Sequence, residues 1–320
     1  MTILVGGQHS GVGKTTLGCR LGQLLQNACA VKCTTIENSD VFQVISDPSL
    51  ATRHKDCERY LQSGFSRVYW IQCPLPAAHR AAQMIREIGF RYQYTLIEGY
   101  APVLHLDCDM AIYLSDPNPP GNDQTPGSDL QLTAGQYDLQ QVLQQVILRQ
   151  AEKRLTLITG RVDSGKTSWC QRVLVGNAHN PIGGIVLRKA FCRGVFCGYD
   201  VARINTATSM PFARRIGNAP PGWDPAEQHG RYSFSREGLA AARSWIRAAA
   251  SRKEQALLVD EIGPLELTGG GLCHTVSAVL EDPPRHVYLV VRQQLIPDVV
   301  RHFSLSKYQV FTVSTPPRKP

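Results

Sequence analysis

The feature that most constrains this sequence is a design used twice. Thr2-Ile-Leu-Val-Gly and Leu155-Thr-Leu-Ile-Thr-Gly are short apolar, partly β-branched runs that end in glycine and lead into Gly-Lys-Thr. Each reads as a buried strand, then a loop, then the start of a helix. A chain of 320 residues fits two domains of ordinary size. The repeated opening divides it into 1–150 and 151–320, with the boundary near Gln150.

Further apolar runs continue the pattern. Arg67-Val-Tyr-Trp-Ile, Tyr94-Thr-Leu-Ile, Met110-Ala-Ile-Tyr-Leu, Gly184-Ile-Val-Leu, Ala256-Leu-Leu-Val and His286-Val-Tyr-Leu-Val-Val have the composition of buried strands. Helical stretches alternate with them, notably Gly238 to Ala250. Another helix is expected after Asp138 as N-cap, with Leu139, Val142, Leu143, Val146 and Ile147 on one face. Ser115 to Asp129 contains Pro117, Pro119, Pro120, Gly121, Pro126 and Gly127, which excludes a helix or strand interior and predicts a loop. The fold class expected is α/β, with one mostly parallel sheet per half and helices on both faces. Anion sites in such sheets lie at the carboxyl ends of strands, where both glycine loops fall.

Composition removes several alternatives. Hydrophobic residues at 43% and charged residues at 19% exclude the polar, highly charged composition of a disordered chain. No run of about 18 apolar residues exists, so no membrane partner is expected. The start lacks the basic segment and long apolar stretch of a secretory signal, which implies a cytoplasmic protein. Ten cysteines are too dilute for a disulfide scaffold, and most are expected as small buried apolar side chains. Cys29-x-x-x-Cys33 and Cys192-x-x-x-x-Cys197 could be half-sites for a soft metal, but neither has the C-x-x-C spacing. Of the charges, 11 Lys and Arg face 13 Asp and Glu in residues 1–150, which leaves 23 against 13 in the rest. The second half therefore attracts polyanions, without distinguishing nucleotide from nucleic acid.

Gly160-Arg161-Val162-Asp163-Ser164-Gly165-Lys166-Thr167 matches G-x-x-x-x-G-K-[ST] in full, after a strand and before a helix. Glycines let backbone N–H groups and the helix N-terminus wrap phosphates, the lysine reaches the outer phosphates, and the threonine suits Mg2+. Gly160 to Ser168 is thus a candidate nucleotide-binding segment. Downstream, Asp260 and Glu261 end an apolar strand, where mere solvation is a poor reason for two charges. Asp260 joins Thr167 as a candidate metal ligand, and Glu261 is positioned to orient or deprotonate water. A helix-capping acid pair is the alternative. Outward from these residues, Gly183-Gly-Ile-Val-Leu-Arg188, Gly198-Tyr-Asp, Gly230-Arg-Tyr and Asp260-Glu-Ile-Gly-Pro-Leu-Glu-Leu267 resemble the nucleoside-triphosphatase family first described from thermophiles, over about 155–300. That resemblance implies a RecA-like fold, catalytic roles for Lys166, Asp260 and Glu261, and charge stabilisation by Arg188. Arg193, Arg231 and Arg292 are weaker candidates.

The first loop, Gly7-Gln8-His9-Ser10-Gly11-Val12-Gly13-Lys14-Thr15-Thr16, has one residue too many for the strict pattern, yet Gly11 and Gly13 still allow an anion nest. Its form resembles the loop of the cobyrinate diamide synthase and dethiobiotin synthetase group. His54-Lys55-Asp56 through Gly64, and Thr95-Leu-Ile-Glu98-Gly99, resemble the MobB-type adaptor of molybdopterin guanine dinucleotide synthesis, over about 1–115. The resemblance implies nucleotide contact by Lys55, and Mg2+ near Thr15, Asp56 and Glu98. The family commonly shows histidines after its second lysine, where this chain has Lys32-Cys33-Thr34. No second acid follows Glu98, so weaker catalysis is expected in this half.

The expectation is thus two tandem P-loop NTPase domains with Mg2+ as cofactor, hydrolysing ATP or GTP to NDP and phosphate mainly in the second. The first would act as a nucleotide-dependent adaptor in cofactor biosynthesis. Partners expected are ATP or GTP and a cofactor-biosynthesis protein or cofactor precursor, with a homodimer admissible. The alternatives are a small-molecule kinase and a nucleotide-controlled switch. Nucleic acid ranks last, because no aromatic-and-basic recognition motif occurs.

Overall fold

The computed structural model describes residues 1–37, 41–46, 54–99, 106–117, 128–152, 154–176, 181–252 and 256–313. Most of the expected Pro/Gly loop, including Pro119, Pro120, Gly121, Pro126 and Gly127, lies outside the described residues. The chain divides into two compact units, Met1–Ala151 and Glu152–Pro320.

In the first unit the strands are β1 (Thr2–Gly7), β2 (Ala28–Ile36), β3 (Gln43–Ile45), β4 (Arg67–Pro74), β5 (Tyr94–Glu98), β6 (Met110–Ser115) and β7 (Leu130–Thr133). They form one sheet in the order β3-β4-β2-β5-β1-β6-β7, and only the β3–β4 pairing is antiparallel. Period-two alternation assigns the side chains to two cores. Ile3 and Val5 pack with Leu17 of α1 (Lys14–Gly22), Tyr60 of α2 (Lys55–Leu61) and Val142 of α4 (Leu139–Ala151). Leu4, Cys29 and Val31 pack on the other face with Ala81 and Ile85 of α3 (Ala78–Gly89). Apolar side chains on both faces are what a parallel sheet between two helix layers demands, and each fully buried Leu or Ile stabilises by about 1.5–3 kcal/mol. The Asp138 cap is present, its Oδ1 accepting from Gln140 N–H at 2.8 Å. The expected apolar face of α4 is narrower than read: Val146 is buried, but Ile147 is 50% exposed, one step around the helix from the seam.

The second unit contains β8 (Arg154–Thr159), β9 (Ile182–Cys192), β10 (Val195–Arg203), β11 (Ser209–Arg215), β12 (Pro225–His229), β13 (Tyr232–Ser235), β14 (Ala256–Ile262), β15 (His286–Val291) and β16 (Gln309–Thr312). Their order is β12-β13-β11-β10-β9-β14-β15-β8-β16. Strands β9, β14, β15, β8 and β16 pair in parallel, while β10, β11, β13 and β12 continue from β9 as an antiparallel wing. The helices are α5 (Lys166–Trp169), which runs into a π-helical turn at Cys170–Val175, then α6 (Arg236–Ala250), α7 (Pro264–Leu267), α8 (Cys273–Glu281) and α9 (Ile296–His302). Leu239, Ala242 and Ile246 of α6 pack with Ile185, Leu257 and Leu289 of the sheet. Ser235 caps α6, accepting from Gly238 N–H at 3.1 Å. Gly184, at φ 110, stands where β9 approaches β14 so closely that a Cβ would strike the Leu258 carbonyl oxygen.

Six cysteines are buried as expected: Cys29, Cys33, Cys57, Cys73, Cys170 and Cys273. Cys192 and Cys197 instead form a disulfide across the β9–β10 hairpin, which their spacing alone did not reveal. No cluster of metal-ligating His, Cys, Asp or Glu occurs among the described residues. None of the described helices is long and apolar enough to cross a membrane.

Candidate functional site

In the second unit, β8 ends at Thr159 and the chain turns through Gly160 (φ 154), Asp163 (φ 59) and Gly165 (φ 80) before α5 begins. A Cβ at Gly160 would meet Ser164 Oγ at 2.6 Å and the Val313 carbonyl at 2.8 Å, so only glycine fits there. Lys166 is 9% exposed and folds back over the loop, its Nζ donating to the carbonyls of Gly160 at 3.3 Å and Arg161 at 3.2 Å. Asp163 pairs with Lys189 of β9 at 2.9 Å, and that hydrogen bond holds the carboxyl below its ordinary pKa. Arg161, Val162 and Ser168 are exposed along the loop and first turn, whereas Ser164 is buried.

Two strands away, β14 delivers the acids. Thr167 Oγ1 donates to Asp260 Oδ2 at 2.8 Å, and the Leu187 N–H donates to the same oxygen at 3.1 Å. Asp260 is 1% exposed, and burial pushes its carboxyl up to about 7 against those two hydrogen bonds. The register of β14 on β15 shifts between Asp260 and Ile262, a bulge that re-aims the intervening Glu261. Arg292, just after β15, donates from Nε to Glu261 Oε1 at 2.7 Å. Arg188 is exposed on β9 and lines the same cavity, of about 1070 Å³, as Lys166, Thr167, Glu261 and Arg292. Arg231 lines it too, whereas Arg193 sits in the β9–β10 turn at φ 50 and does not. Glu266 serves structure: its buried carboxylate accepts from the N–H of Gly263 at 2.9 Å and of Leu272 at 3.2 Å, fixing α7 behind the acids.

The first unit repeats the plan with different occupants. Gly11 (φ 93) and Gly13 (φ 105) shape the loop, and Lys14 Nζ donates to the His9 carbonyl at 2.6 Å. Burial lowers the Lys14 pKa. A Cβ on Gly7 would meet Val12 Cγ1 at 2.6 Å. His9 bonds Asp116 at 2.7 Å, while Gln8 Oε1 accepts from Asp116 N–H at 3.2 Å. Ser10 is exposed, and Thr16 accepts from Arg59 at 2.9 Å.

Thr15 Oγ1 donates to Glu98 at 3.0 Å, as Thr167 does to Asp260. Here, however, Tyr60 also donates to Glu98 at 2.6 Å, and Lys32 Nζ bridges Glu98 at 2.6 Å and Asp56 at 2.8 Å. Burial alone would lower the Lys32 pKa, yet the two carboxylates hold it above its ordinary value. Thr15, Asp56 and Glu98 are thus brought together. Lys55 is not: it is exposed at the first turn of α2. Lys32 and Tyr60 are the residues that sequence reasoning missed as parts of this site. The available signal was one lysine inside the otherwise apolar run Ala28-Cys-Ala-Val-Lys-Cys, a placement that demands a partner.

A family model described as NTPase (NTPase_1) matches residues 155–319. The chain belongs to this NTPase family. Family membership assigns NTPase activity to the second unit, which the matched residues fill. The nucleoside-triphosphatase THEP1 of Methanopyrus kandleri is 27% identical over 157 residues, spanning 45% of this chain and 83% of that protein. The THEP1 crystal structure from Aquifex aeolicus matches at 16% identity over 50% of this chain and 90% of its own, with a TM-score of 0.39. A solution structure of a human cancer-related nucleoside triphosphatase matches at 19% identity, covering 52% and 92%, also with a TM-score of 0.39.

Proposed function

We propose that the second unit hydrolyses ATP and GTP to NDP, phosphate and a proton with Mg2+, and that the first unit binds nucleotide as an adaptor domain. The observation that carries the reading is the Thr167–Asp260 contact at the mouth of a complete phosphate loop, with Glu261 held beside it by Arg292. Hydroxyl and carboxylate oxygens are the hard donors that Mg2+ prefers, so the donor set of Thr167 and Asp260 fits that ion, which would neutralise charge on the β- and γ-phosphates. Lys166 exchanges two neutral carbonyls for phosphate oxygens. The N–H groups of the loop from Gly160 to Thr167 cradle the same anion. Glu261 orients the attacking water and takes its proton, while Arg188 and Arg292 balance the negative charge that develops.

In the first unit Glu98 already accepts from Thr15, Tyr60 and Lys32, and no acid follows it, which favours binding over turnover. Placement of this unit in cofactor assembly, of the molybdenum or tungsten type, rests on its resemblance to the MobB-type adaptor. Release of phosphate from ATP, GTP, CTP and UTP tests the division of labour. Lys166→Ala should lower steady-state release at least about 100-fold, the scale of losing one preorganised charge-stabilising donor, and Lys14→Ala should spare most of it. Equal losses from both substitutions reject the assignment.

A further inference from the structure

We propose that the antiparallel wing of the second unit holds a second ligand beside the triphosphate: an aromatic ring that carries a phosphate. The proposal rests on the NTPase reading for its orientation and on the wing for its chemistry. In an in-line displacement the attacking water lies on the far side of the γ-phosphate from the leaving β-phosphate. Glu261, which orients that water, therefore faces away from the ribose and base. The wing starts at β9, on the side of β14 opposite β15 and the phosphate-loop strand β8. What lies past Glu261 in that direction is not a base pocket for the hydrolysed nucleotide.

The cavity continues there. Its volume is about 1070 Å³, and its lining runs from the phosphate loop through Glu261 to β10, β11 and β13. Its wing wall is a run of rings. Phe196 and Tyr199 of β10 stand 5.2 Å apart, and Tyr199 and Tyr232 stand 5.9 Å apart. A bulge between Phe196 and Gly198 brings Phe196 and Tyr199, three residues apart, onto one face where strict alternation would separate them. Arg215 lies opposite Tyr232 in the β11–β13 register, its guanidinium 4.9 Å from the Phe196 centroid. Arg231 covers Tyr232 at 5.5 Å.

The decisive atom is Arg215 Nε. It is buried and has no hydrogen-bond partner among the described residues, an arrangement that costs free energy until an acceptor arrives. Rings select a flat π-system, and the guanidinium groups of Arg215 and Arg231 beside them select an oxyanion able to accept from several N–H donors at once, which describes phosphate.

The test uses the full chain with both loops saturated by a non-hydrolysable triphosphate analogue and Mg2+. Calorimetric titration with AMP, GMP, CMP, UMP, flavin mononucleotide and pyridoxal phosphate distinguishes ring types, and inorganic phosphate reports the anion alone. One additional equivalent of at least one ring phosphate should bind, more tightly than inorganic phosphate. Arg215→Gln should weaken it at least about tenfold, and Arg215→Lys, which keeps the charge but not the planar stack, should weaken it by less. Lys166→Ala, titrated without the analogue, should retain it. No additional equivalent with any probe overturns the proposal. So does binding that Lys166→Ala removes and Arg215→Gln spares, since the probe would then occupy the loop. Hydrolysis is not the readout, so loss of the NTPase assignment and loss of the second site are seen separately.

Discussion

Asp260 combines a cost in stability with a role in function, and Asp260→Asn separates the two. Burial raises this carboxyl from 3.8 to about 7 in the folded protein. An acid whose folded pKa is raised leaves stability intact below pH 3.8. It then removes about 1.4 kcal/mol for each pH unit up to the folded value and nothing further above it. From pH 5 to pH 8 the two units that remain amount to about 3 kcal/mol, lost by the wild type and kept by an asparagine that cannot ionise. At about 2–4 °C per kcal/mol for a domain of this size, the variant should gain about 6–12 °C over the wild type across that range. The assay is thermal unfolding of the full chain without nucleotide or Mg2+, followed by tryptophan fluorescence. Trp169, Trp223 and Trp245 lie in the second unit and only Trp70 in the first, so the signal follows the transition of interest. The same variant should lose phosphate release, because an amide is a poor partner for Mg2+. Parallel melting curves for the two proteins from pH 5 to pH 8 would refute the argument that burial outweighs the two hydrogen bonds to the carboxyl at this strand end.

Two further substitutions probe the frame around the loops. Lys32→Met leaves Glu98 and Asp56 without their shared cation, and should destabilise the first unit by about 3–5 kcal/mol, read as a lower denaturation midpoint; a change under about 1 kcal/mol would show that the pair is not buried in solution. Gly184→Ala forces a Cβ into the Leu258 carbonyl at a positive φ and should cost at least about 2 kcal/mol, so an unchanged midpoint would contradict the close approach of β9 and β14.

What the sequence made legible was local. Strand, loop and helix at each Gly-Lys-Thr follow from contiguous residues, and so does the apolar run that ends in Asp260-Glu261. The pairing of Thr167 with Asp260, and of Thr15 with Glu98, could be anticipated because loop and strand end are forced to the same sheet edge. The wing does not read as strands, because Ser-Met-Pro-Phe-Ala-Arg-Arg carries a proline and lacks period-two alternation, and Pro-Ala-Glu-Gln-His has neither alternation nor a large apolar residue; their strand state comes from pairing with neighbours. Phe196, Tyr199, Arg215 and Tyr232 went unrecognised as one wall for the same reason, since two bulges and a hairpin register place them together. The Cys192–Cys197 link likewise requires the hairpin before the spacing means anything. Lys32 was visible as an oddity, but its partners are 24 and 66 residues away in sequence.

Strand β15 contributes no side chain to the phosphate loop, yet it lies between β8 and β14 and sets those two strand ends two strand spacings apart, about 9–10 Å at the sheet, a distance that the loop after β8 crosses to bring Thr167 to Asp260. It acts as a ruler. Its backbone ladders to β14 and β8 determine how far apart the two strand ends stand, and Arg292, which directly follows it, reaches Glu261. Changes to the register of this one strand would therefore detune chemistry at residues more than 20 positions earlier in the chain, with the substrate's own contacts untouched.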